Sequence, residues 1–135
     1  MVLDDIASLS VNKLLEMLHN ALVDFAGTIS SAIEANKAVA LEDITQLREH
    51  LRQRLATGEE KAENQKLIRA LNLLYTDQRV LEIIKEDADG WLELLDAIER
   101  HIEQRSPMTK EDKQEIQLIK KLSNSIRDLI RKEGA

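Results

Sequence analysis

Three features of the sequence predict an all-α, up-and-down bundle of about five helices, with the first long helix central. Apolar residues recur every three or four positions through most of the chain. Glycine occurs four times and proline once in 135 residues, so long uninterrupted helices are expected. Leu, Ile, Ala, Glu, Lys and Arg dominate, and no stretch alternates apolar and polar like a half-buried strand. With 43% apolar and 33% charged residues the chain has the composition of a folded protein. Its length suits one domain over residues 1–135 that buries roughly two-thirds of its unfolded surface.

Residues 1–10 read as a lead-in, with Leu3, Ile6 and Leu9 three apart and Ser10 placed to cap the first long helix. In that helix Val11, Leu15, Leu18, Leu22, Phe25, Ile29 and Ala32 step alternately by four and three, an unbroken apolar seam. Only Lys13, Glu16, Asp24 and Glu34 are charged in the stretch, as expected of a helix covered on more than one side. The pattern carries this helix to about Asn36. Gly27, Ser31 and Ala35 are small residues four apart, where another backbone can approach closely, from within the bundle or from a partner.

Lys37 to Leu41 reads as a short connection. A second helix comes next with Ile44, Leu47, Leu51 and Leu55 on one face, and Gly58 is suited to end it. A third is expected from about Glu59 to Asp87, kinked near Asp77. The run Asp87-Ala88-Asp89-Gly90 is the best break, and a fourth helix should run from about Gly90 to Gln104. Ser106-Pro107 stops it, because the residue before proline avoids helical geometry. After the 106–109 connection Thr109 should cap the last helix, with Glu111 and Asp112 suiting the positive end of its dipole. Ile116, Ile119, Leu122, Ile126 and Leu129 form its apolar face.

Several functions are excluded or disfavoured. There is no cysteine, hence no disulfide, no thiolate metal site and no cysteine nucleophile. No Gly-rich phosphate loop, Gly-x-Ser-x-Gly elbow or dinucleotide fingerprint occurs. The least charged run, Met17 to Ile33, is too short and too polar to span a bilayer. Met1 to Ser10 has no basic export region, so a cytoplasmic location is expected. The net charge of −6 argues against nonspecific nucleic-acid binding.

The enzyme reading with the most content rests on carboxylates. Glu60 and Glu63, and again Glu93 and Asp96, stand three apart and would share a helix face. Two such pairs on facing helices could hold Mg²⁺ through oxygens. This arrangement resembles the all-alpha nucleoside-triphosphate pyrophosphohydrolases, whose metal site uses a Glu-x-x-Glu pair followed by a Glu-x-x-Asp pair. The resemblance covers those four residues alone. It implies a Mg²⁺-dependent hydrolase, but the gap between the pairs is long for that family and Leu95 precedes Asp96 where a Gly-Asp is usual. In a chain with 25 acids, solvated helix faces are the simpler expectation.

His19, His50 and His101 fall on three different helices. Glu16 and His19 make one Glu-x-x-His, without the second that a di-iron bundle needs. His50 and His101 sit among charged neighbours, which suggests solvent. No cofactor is therefore expected.

The last helix has the only basic surplus, with Lys120, Arg127 and Arg131 near one face as candidates for a nucleic-acid backbone. Stacking aromatics are missing beside them. Trp91, the only tryptophan, is expected to anchor the core or a hinge, with a partner contact as the alternative.

The expectation is a noncatalytic helical interaction module: an adaptor, a regulator or a small subunit. Its partner would be another protein or a second copy, through helix faces. A nucleoprotein subunit is the first alternative and the pyrophosphohydrolase the second. The apolar run from Leu67 to Ile84 goes nearly around its helix and supplies the reason for expecting a partner.

Overall fold

The computed structural model describes residues 8–28, 34–58, 60–76, 80, 84, 85, 87–105 and 107–134, and among these it contains helices and no strand. The helices are α1 (Val11–Thr28), α2 (Glu34–Thr57), α3 (Asn64–Thr76), α4 (Ala88–Glu103) and α5 (Lys110–Gly134). The all-α bundle expected from the sequence is what forms.

Local chemistry sets three of the helix ends. The Ser10 hydroxyl accepts from the Lys13 N–H at 3.1 Å and starts α1. Gly58, at φ 69°, takes the left-handed conformation that closes α2, and its N–H donates to the Leu55 carbonyl at 3.3 Å. Thr109 and Asp112 form a reciprocal capping box: the Asp112 N–H donates to the Thr109 hydroxyl at 3.1 Å and the Thr109 N–H to the Asp112 carboxylate at 2.9 Å.

Three expected boundaries are corrected. Residues 29–33 lie outside the described residues. Glu34 to Asn36, expected at the end of the first long helix, belong to α2, and so does the segment Lys37–Leu41, read as a connection. That segment is Lys-Ala-Val-Ala-Leu, with no glycine or proline to stop a helix. The third helix begins at Asn64, so residues 60–63 are not helical. Long-range partners hold their backbone instead. The lead-in residues 1–7, the expected kink at Asp77, and Leu81 and Ile83 lie outside the described residues.

The packing is a closed ring. α1 packs on α2 and α3, α2 on α4, and α4 and α3 on α5. Contacts along the pairs give the directions. Asn12, Glu16 and His19 meet residues near 63, 66 and 69, so α1 and α3 run parallel. Arg48 meets Asp87 and Gly90 and Gly58 meets Gln104, so α2 and α4 also run parallel. Asn64 bonds Glu111, which puts α3 and α5 side by side in one direction. Successive helices alternate up and down, while spatial neighbours include parallel pairs. The N-termini of α1, α3 and α5 therefore share one end with the C-termini of α2 and α4.

The core is shared around the ring. α1 contributes Val11, Leu14, Leu15, Leu18, Leu22 and Phe25, and α3 contributes Leu67, Leu71 and Leu74. Val80 and Ile84 are fully buried as well. Each fully buried leucine contributes about 1.5–3 kcal/mol of apolar transfer free energy. Most of the apolar run from Leu67 onward is thus covered by the chain itself.

Candidate functional site

The end of the bundle that gathers three helix N-termini also gathers the densest polar structure. It is built on the strap between α2 and α3, which begins at Gly58 and ends at Glu63. The Glu60 carboxylate accepts from the Val11 N–H at 2.9 Å, satisfying one free donor of α1, and pairs with Arg54. Arg54 also donates to the Leu9 carbonyl at 2.8 Å. Asn12 brackets the strap, donating to the Lys61 carbonyl at 3.3 Å and accepting from the Glu63 N–H at 2.8 Å.

Ala62 is held from both sides, by α4 and by the α4–α5 connection. Its N–H donates to His101 Nε2 at 3.2 Å, and its carbonyl accepts from Arg105. Arg105 further donates to Asn64 and, at 2.6 Å, to Asp112, whose side chain is 2% exposed. Arg105 therefore joins the strap, α3 and α5 through one guanidinium, the fork geometry that suits arginine to such sites. Its Nε and Glu115 Oε2 are buried without partners.

This environment sets protonation states. Burial pushes the His101 pKa down, and the positive charges of Arg105 and Lys61 push the same way. The ring is neutral at physiological pH, with Nε2 free to accept. Burial works to raise the Asp112 pKa, but its bonds from the Thr109 N–H, Arg105 and the Thr109 hydroxyl hold it below the usual value. Burial raises Glu115 to about 7; Arg105 opposes this, and Asp112 and Glu111 add to it.

Two open clefts flank the strap and share Lys61 and Arg105. One runs past Asn12, Glu63, Asn64 and Thr109, the other past Gly58, Glu60, His101 and Gln104.

A second buried cation lies at the α2–α4 seam. Arg48 is 4% exposed, with its guanidinium 5.5 Å from the centre of the Trp91 ring. Its Nη2 meets the Asp87 carboxylate at 2.7 Å, while Nε and Nη1 have no partner. A Cβ on Gly90 would lie 2.4 Å from the guanidinium, so Gly90 provides the space. Asp87 stands at the N-cap of α4 but makes no side-chain capping bond, its carboxylate being turned to Arg48.

The candidate residues scatter. Glu60 and Glu63 belong to the strap, where residues 61–63 are not helical, so they do not form the helical pair that the hydrolase resemblance requires. Glu93 and Asp96 lie on α4 in a groove beside Arg52 and Arg100, and both are exposed. Among the described residues no three His, Asp or Glu side chains gather as a metal site. Lys120, Arg127 and Arg131 are exposed on α5, with Arg131 paired to Asp128 at 2.6 Å. The Trp91 ring is inside the bundle, 2% exposed. Gly27 and Ala35 belong to α1 and α2, but the surroundings of their side chains, and Ser31 altogether, lie outside the described residues.

His101 is a further correction. Charged neighbours suggested solvent, yet it is 7% exposed, because its ring turns inward to the strap, where the Ala62 N–H donates to it. Reasoning from sequence missed Arg105, Asn12, Asn64 and Glu115 as well. The Thr109-x-x-Asp112 spacing was a visible signal for the capping box, but nothing local marks the partners of the strap.

No family model, curated protein or solved structure matches the chain. Among the described residues no helix is long and apolar enough to cross a membrane.

Proposed function

We propose that this chain is a noncatalytic, cytoplasmic interaction module that docks another protein, or a second copy of itself, through helix faces. One observation carries the reading. Among the described residues the exposed large apolar side chains are Val23, Tyr75 and Ile130, at 44%, 45% and 41% exposure. Each stands in the C-terminal half of α1, α3 or α5, the three parallel helices that adjoin one another in the ring. They therefore lie toward the end opposite the strap, where apolar groups left in water favour a protein contact.

The test is a tagged pull-down from native host lysate, with and without nuclease, joined to sedimentation of the purified protein. The module reading expects self-association, or a captured protein that survives nuclease. Either should be lost in the triple variant Val23→Asp, Tyr75→Asp, Ile130→Asp, whose far-UV spectrum remains helical. A monomer that captures nothing by difference overturns the reading. Material lost with nuclease and with Lys120→Glu transfers it to a nucleoprotein subunit contacting the backbone through α5.

A further inference from the structure

We propose that the strap is an acid-released latch, held while His101 is unprotonated and freed when its ring takes up a proton. The geometry requires the dependence. The Ala62 N–H donates to His101 Nε2 at 3.2 Å, which only an unprotonated nitrogen can accept. Protonation turns that nitrogen into a donor facing a donor. Ala62 is fully buried, so no water replaces the lost acceptor without the strap moving. Asn12 and Glu60 still tie the flanking residues, so the expected movement is local to Ala62.

The groups that face His101 agree with this. From the strap come Lys61 and Glu60, and from the α4–α5 connection Arg105. From α2 comes Arg52, which shares a groove with His101 together with Glu93, Asp96 and Arg100 of α4 itself. α5 acts through Arg105, with Asp112 paired to it and Glu115 close enough to feel its charge. Lys61 and Arg105 are the cations that oppose an imidazolium, so the latch holds through neutral pH and opens on the acid side. Opening would join the two clefts that now meet at Lys61 and Arg105.

The experiment monitors the Ala62 amide in the full chain by hydrogen exchange, read by NMR and corrected for the intrinsic pH dependence. Its protection should fall roughly tenfold or more between about pH 7.5 and about pH 5, as for loss of one buried hydrogen bond. The amide of Leu51, deep in α2, should keep its protection and so exclude global unfolding. In His101→Gln the side-chain oxygen can accept at any pH, and Ala62 protection should no longer depend on pH. Constant wild-type protection, or the same fall in His101→Gln, overturns the latch. If that variant does not fold, the wild type decides: the fall must share its midpoint with the His101 ring nitrogens, and a different midpoint overturns it.

Discussion

Arg48 and Arg105 are both buried cations in a bundle held mainly by aliphatic packing, but they are accommodated in opposite ways. Arg105 spends its guanidinium on three acceptors, Asp112, Asn64 and the Ala62 carbonyl, and Asp112 is itself buried and capped. Among the described residues Arg48 has one charged partner, Asp87, whose side chain is 47% exposed, and otherwise relies on the Trp91 face and the space at Gly90. The first site is held by directional bonds, among them one to a carboxylate whose side chain is 2% exposed. The second is held by shape and by a ring quadrupole, with a partner already in water. The lesson is that the more buried cation need not be the one that depends more on its charge.

The largest consequence is at Arg105. Replacing it by Met leaves Asp112 buried without its cation and two acceptors without donors, and should cost about 3–5 kcal/mol. Arg48→Met leaves only Asp87, which solvent can reach, and should cost about 1 kcal/mol or less. Denaturant midpoints compare them directly, and equal losses would erase the distinction.

A smaller effect is expected at Gly90. Gly90→Ala drives a methyl into the Arg48 guanidinium and should cost about 1–3 kcal/mol. In an Arg48→Ala background the clash is gone, and the same change should stabilise by up to about 1 kcal/mol through helix propensity. A double-mutant cycle with no coupling would show that Gly90 is not there for Arg48.

The smallest effect separates the two sites by pH. Of the two sites, the one at Arg105 contains, among the described residues, a carboxyl raised to about 7, Glu115, against an ordinary value of 4.5. The folded state keeps a proton that the unfolded state releases. This contribution is fully present below about pH 4.5 and is lost as pH rises through about 7. Glu115→Gln should remove that slope and exceed the wild type by about 1–3 kcal/mol at pH 8. Parallel stability curves for the two proteins would place Glu115 in a hydrated setting.

How much could be read from the sequence depends on the range of the forces involved. Ser10, Gly58 and Thr109 were legible as helix ends because caps and glycine turns act within four residues. The Val11–Phe25 stripe was legible because residues three and four apart share a helix face. Gly90 was legible only as a breaker, whereas it sits inside the first turn of α4 and makes room for a residue of α2. The Glu93 and Asp96 pair does fall on a helix, whereas Glu60 and Glu63 do not, because spacing along the sequence does not decide whether a segment such as 60–63 is helical.

The sequence by itself determined the all-α class, the apolar stripes and the helix ends at Ser10, Gly58 and Thr109, all of which depend on neighbours a turn apart. Only the tertiary structure decided the ring order, the non-helical strap and the company kept by His101, Arg105 and Glu115. The bonds that hold the strap join residues as far apart as 39 positions, from Ala62 to His101, and 51, from Asn12 to Glu63. No local pattern encodes such pairings, because they form only once packing has brought the two ends of each bond together.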